Sequence, residues 1–230
     1  MKKKILCLTG VILILVAFNS CSSKPEDGLL KRYFNAVSLS DATTMSTMAL
    51  NPIKIDFDSW EIVNVSEEEV TAANLAELNQ KEMELKKAVE DSVGITYDKG
   101  VELDDAKFEY ENARSAAAKR QASAKVDQLE EAYREQRDKH NEVQKEYNEA
   151  KNAAAKEEEM TLFSLGAGDL PTVREFTGDV HKKTVDVKIK TKSGETKTYR
   201  FHIRRDNLRD EGLGLDRRGR WVIVRIELLS

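Results

Sequence analysis

Three histidines, two cysteines and a run of arginines are the side chains in this chain whose chemistry could exceed surface solvation. His140 lies where apolar residues recur every three or four positions, which places it on the inner face of a helix. A polar residue there fixes the register of packed helices; a metal would need a second His or Cys one turn away, and the sequence has none there. His181 and His202 fall on or beside stretches of alternating polarity, and His202 shares an outward strand face with Arg200 and Arg204. No serine elbow or phosphate-cradling glycine loop is present, and Gly166-Ala167-Gly168 reads as a plain loop. The many carboxylates serve helix solvation better than paired acid and base work. The expectation is a protein without a catalytic constellation, metal site or cofactor.

The arginines are the least bland feature. Arg200, Arg204, Arg205, Arg217, Arg218 and Arg220 could meet anionic lipid headgroups or an acidic partner, at about 1 kcal/mol per basic residue close to a charged membrane. Asp206, Asp210, Glu211 and Asp216 interleave with them and could neutralise the face within the chain.

Cys21 stands at the end of a distinctive segment. Lys2, Lys3 and Lys4 precede an apolar run from Ile5 to Phe18, followed by Asn19, Ser20 and Cys21. That order is a charged n-region, an h-region short for a bilayer span, and a small residue before a cut. The segment resembles the lipobox of bacterial lipoproteins, with Ser20 in the place before the cysteine, although Phe18 and Asn19 depart from the usual residues. The resemblance implies a signal peptide over residues 1–20 and a lipid on Cys21, hence a palmitate-type membrane anchor in the cell envelope. Ser22 rather than Asp after the cysteine resembles the outer-membrane sorting pattern, which implies a periplasm-facing position in bacteria with two membranes. Cys7 would leave with the signal, so the mature chain could form no internal disulfide or thiol redox pair.

Charge divides the remainder of the chain. Removing residues 1–20 takes three lysines and moves the formal net charge from -4 to -7. Residues 66–159 carry 15 basic against 25 acidic side chains, whereas residues 178–230 carry 14 against 8. Such asymmetry predicts two physically different modules.

Residues 21–28 read as a lipidated tether. Leu29, Leu30, Tyr33, Phe34 and Val37 then share a helical face, and Ser40 or Asp41 can cap a second short helix through Met45 and Met48. Ile53, Ile55 and Phe57 have strand spacing, continued by Trp60, Ile62 and Val63 after a bulge at Ser59. Ser66-Glu67-Glu68-Glu69 has the form of a capping box opening a helical region. Leu75, Leu78, Leu85 and Val89 come next at heptad positions, and Val126, Leu129, Tyr133, Gln136, His140, Val143, Tyr147, Ala150 and Ala154 alternate spacings of three and four without a slip. These segments predict an antiparallel helical hairpin of coiled-coil type over 66–160, broken at Gly94 to Gly100. Its tip falls either there or, by heptad phase through Leu103, Ala106, Tyr110, Ala113 and Ala117, near 112–122.

After Gly166, Gly168 and Pro171 the period becomes two. Val185, Val187 and Ile189, a Ser193-Gly194 turn, and Tyr199, Phe201 and Ile203 predict a β-hairpin. A loose connection over 206–220 leads to a last strand, with Val222, Val224, Ile226 and Leu228 on one face and Trp221 and Ile223 on the other. The fold class is therefore α+β: N-terminal helices and a curved antiparallel sheet over 29–65 and 172–230, interrupted by the helical insertion. Tyr33-Phe34-Asn35-Ala36 followed by Asp41, with helix then sheet, resembles the cystatin-like, nuclear-transport-factor-like domains of small lipoproteins.

The expected role is structural or interaction-based: a lipid holds a compact domain at the membrane, and the hairpin meets a protein partner or a second copy. Outside the cytoplasm nucleic acid is not an expected partner. The alternatives are a small-ligand-binding or hydrolytic cystatin-like domain, and a periplasmic adaptor of an export system, whose flanking lipoyl-like halves this sequence lacks.

Overall fold

The computed structural model describes residues 24–168 and 170–230. Cys21 and the lipobox expectation lie outside them. The architecture is α+β, with N-terminal helices, a long helical hairpin and a curled antiparallel sheet. The described chain divides into two compact units; of the described residues, the first takes those up to Val70, Val180–Arg205 and Gly219–Ser230, and the second those within Thr71–Asp179 and Asp206–Arg218.

In the first unit, α1 (Pro25–Ser38) begins inside the stretch expected to be tether. Pro25 presets the first helical φ, and Glu26 and Asp27 face the positive end of the helix dipole, so this start is chemically favoured. Leu29, Leu30, Tyr33, Phe34 and Val37 are buried, as their spacing predicts. The short helix α2 (Ala42–Ser46) is capped by Asp41, whose carboxylate accepts from the Thr44 amide at 3.0 Å. Met45, Met48 and Ala49 lie in the core.

Strand β1 spans Ser59–Val65, and the stretch from Ile53 to Phe57 is irregular rather than extended ladder. Tyr33 explains why that stretch needs no ladder at its start: its hydroxyl donates to the Ile53 carbonyl at 3.2 Å and accepts from the Ile53 amide at 3.0 Å. The bulge falls between Ile62 and Asn64, not at Ser59. β1 pairs antiparallel with β3 (Thr177–Lys190), and β4 (Thr196–Asp210) pairs with β6 (Val222–Leu228). Val185, Val187, Ile189, Phe201 and Ile203 are buried with the α1 residues in one core. Phe34 is its aromatic centre, stacked on Trp60 at 4.6 Å and edge-on to Tyr33, Phe57 and Phe201.

The alternation expected of β6 inverts halfway. Arg225 faces His202 while Ile223 faces Ile203, so Val224 is an extra residue in the ladder. The bulge lets Ile223 and Ile226, two positions of opposite parity, both pack on the same core.

The second unit holds α3 (Leu75–Asn112) and α4 (Ala116–Leu165), an antiparallel pair. Its tip is Ala113–Ser115, with the Ser115 hydroxyl capping α4 through the Ala118 amide at 3.1 Å. α3 runs through Gly94 and Gly100 without the expected break. A glycine costs a helix interior only about 1 kcal/mol, and packing along α4 offsets that penalty. The predicted seam is observed: Val126, Leu129, Tyr133, Gln136, His140, Val143 and Tyr147 are half-buried, and Ala150 and Ala154 buried. Towards the tip the seam opens to solvent: Ala117 is exposed, and Tyr110 is exposed with Lys119 of α4 5.2 Å over its ring.

The capping box does not open a helix. The Ser66 hydroxyl instead accepts from the Thr184 amide at 2.9 Å, and Glu69–Ala72 forms β2, paired with β3. The 206–220 connection is also more ordered than expected, since β4 continues to Asp210 and turns into β5 (Leu215–Arg218). Leu75, Val173, Phe176 and Leu208 form a second small core at the base of the hairpin. Gly178 has φ +134, and a β-carbon there would stand 2.3 Å from the Asn207 carbonyl oxygen, so only glycine permits this approach of β3 to β4.

Candidate functional site

The hairpin is held by polar contacts at two levels. Near its middle, Ser92 Oγ lies 2.8 Å from His140 Nδ1 and donates to the Val89 carbonyl at 2.8 Å. The hydroxyl has one hydrogen for these two contacts, so it keeps its bond to Val89 and accepts from His140 when the imidazole carries its proton on Nδ1. At its base, Arg174 bonds Glu158 at 2.7 Å and Glu82 at 2.7 Å, with Asn79 at 3.3 Å. One guanidinium thus ties α3 to α4, and the carboxylates, Glu158 first, raise its pKa further. No sequence signal marks Arg174, which sits in a single 3₁₀ turn over Val173–Glu175.

The outer side of α3 carries a second apolar row. Tyr97 is 71% exposed, Phe108 68%, Val93 51% and Val101 43%. At about 100° per residue these four lie within roughly 80° of one another around the helix, away from Ser92, Leu103 and Ala106 on the seam. Beside the row, a groove of about 370 Å³ is lined by Val93, Tyr97, Gly100 and Val101 of α3 and by Tyr133 and His140 of α4. Gly100 adds no side chain to the groove; a β-carbon there would make an ordinary contact with the Tyr133 ring at 3.5 Å. The row is legible in the sequence as spacings of four, four and seven, and is masked there by the stronger seam.

Within the first unit, the arginines are drawn into local pairs. Arg200 grips Asp186 with two bonds of 2.7 and 2.9 Å, and Asn64 adds a third at 3.3 Å. These donors, Arg200 foremost, hold the Asp186 carboxyl below its usual range. His202 bonds Glu227 at 3.0 Å, with Arg225 2.7 Å from the same carboxylate, and the His202 bond is the main cause of the lowered Glu227 pKa. Glu68 is a hub for His181 at 2.6 Å, Lys183 at 3.5 Å and Arg205 at 3.6 Å; the His181 bond is the main cause of its lowered pKa. Lys183 reaches Glu26, only 2% exposed, at 3.4 Å, and both Lys183 and Arg205 lie over the Trp221 ring. Arg204 is buried and Arg220 exposed. In the second unit, Arg217 packs over Phe176 at 5.7 Å and Arg218 is exposed. Neither Glu26 nor Glu68 carries a signal in the sequence, because their partners lie on a strand more than a hundred residues away.

The first unit also has a cleft of about 470 Å³ lined by Val37, Met45, Ile55 and Phe57, with Lys54, Asp56 and Lys192 among its polar residues. Asp56 and Lys192 pair at 2.8 Å. Among the described residues no group of three or more His, Cys, Asp and Glu is placed to hold a metal ion, and no helix is long and apolar enough to cross a membrane. No family model, curated protein or solved structure matches the chain.

Proposed function

We propose that this chain is a lipid-anchored bacterial cell-envelope protein whose helical hairpin is a partner-binding arm. The observation that carries the reading is the apolar row Val93, Tyr97, Val101 and Phe108, which the hairpin's own seam leaves in solvent. Cys21, four residues before the first turn of α1 at Pro25, would put the first unit close to the membrane surface. The arginines do not need a lipid surface to be neutralised: Arg200 and Arg205 have carboxylates within the first unit.

The test is photo-crosslinking in intact cells, with a crosslinking residue placed in turn at Tyr97, Phe108, Arg134 and Lys151 of the hairpin and at Lys188 and Arg225 of the sheet. Adducts to another protein from hairpin positions are expected. Adducts from sheet positions alone, or none from any position, would overturn the reading.

A second reading rests on the cleft of the first unit, whose volume is in the range of small-molecule sites. It makes the protein a small-ligand binder, and a ligand-induced rise in melting temperature that Phe57→Ala removes would favour it.

A further inference from the structure

Charge on α3 around its apolar row is one-sided. Residues 90–111 contain eight acidic residues and two lysines. By helical phase Glu90 and Asp104 stand within the row and Asp98 and Asp105 flank it, all exposed. Of the two lysines, Lys107 is occupied by Glu130 of α4 at 3.0 Å, and Lys99 falls on the seam side. The face is thus apolar and aromatic, with a border of acidic net charge.

Building on the hairpin as a partner arm, we propose that this face binds a basic amphipathic helix of another protein. The row from Val93 to Phe108 extends roughly 22 Å at 1.5 Å per residue, the length of four helical turns. Spacings of four, four and seven are those of a ridge that a third helix packs against, and the groove at Gly100 accepts one of its apolar side chains. A second copy presenting the same face would bring like charges together, which disfavours a symmetric pair. Lysines or arginines beside an apolar stripe complement the acidic border and pair with Glu90, Asp98, Asp104 and Asp105.

The probe is an 18-residue helical peptide with leucines on one face and lysines on the other, titrated by fluorescence anisotropy against the full chain in detergent. Two charge-matched triple variants are compared. Glu90→Lys with Asp104→Lys and Asp105→Lys alters the face; Glu131→Lys with Asp138→Lys and Glu142→Lys alters exposed positions of α4 off the seam. The first triple is expected to weaken binding about tenfold or more, equivalent to about 1.4 kcal/mol, and the second less than about twofold. Tyr97→Ala with Phe108→Ala is expected to match the first triple while leaving the circular dichroism spectrum unchanged. Equal weakening by both triples would show general charge attraction and overturn the proposal. Tighter binding of a leucine and glutamate peptide, or a concentration-dependent dimer abolished by Tyr97→Ala, would overturn it as well. These failures are separable from failure of the arm itself: hairpin crosslinks to a protein in cells would persist if only the basic-helix assignment were wrong.

Discussion

Ser92 and His140 meet at 2.8 Å between the two arms of the hairpin, near its middle. Apolar residues at equivalent seam positions would tolerate a one-heptad slip, because every heptad offers similar holes. A polar pair does not, because a slip by one heptad would set the buried Ser92 against Tyr133 or Tyr147 in place of the His140 imidazole. Ser92→Ala and His140→Leu are each expected to destabilise the hairpin, with a coupling in the double variant of about 1 kcal/mol. Urea denaturation of the four proteins checks this; strictly additive effects would show that the pair does not set the register.

Gly94 lies inside α3 with nothing within 4 Å of where a β-carbon would stand. Gly94→Ala should therefore stabilise the second unit by about 0.5–1 kcal/mol. A lower melting temperature would indicate the helical break that the sequence suggests.

Gly178 predicts the opposite sign. A methyl group there would meet the Asn207 carbonyl at 2.3 Å on a backbone with φ +134. Gly178→Ala is expected to cost at least about 2 kcal/mol by thermal unfolding, in the upper part of the range for single substitutions. A variant as stable as the wild type would contradict the close approach of the two strands.

Acid should loosen the first unit through its paired carboxylates. Asp186, Glu68 and Glu227 all have folded pKa values below their ordinary ones, held down by Arg200, His181 and His202 respectively. A depressed carboxylate stabilises the fold fully above its unfolded pKa, about 4, and that contribution disappears as the pH falls through the folded value. Stability should thus decline below about pH 4. Asp186→Asn should flatten that decline while lowering stability at pH 7, and an unchanged acid limb would count against the Arg200 pair.

Elements were legible in the sequence where their signal was local. The α4 seam was, because nine residues in phase leave one solution for a packed helix. Strands β3 and β4 were legible in their apolar faces for the same reason. The Ser66 box misled, because a local capping geometry lost to a long-range bond from the Thr184 amide. The bulge at Val224 and the burial of Glu26 were invisible, since each depends on a partner strand whose register the sequence does not state. In the candidate site, the exposed row on α3 was readable but outranked by the seam, and its acidic border shows in the sequence only as bulk charge.

The proposed lipid at Cys21 would hold this body and its arm at a membrane, and mass spectrometry of the N-terminal peptide of the protein purified from membranes tests it most directly. The expected result is a chain beginning at Cys21 and carrying acyl groups, with a Cys21→Ser variant recovered without them. An unacylated N-terminus at any other residue, in protein still bound to the membrane, would contradict it.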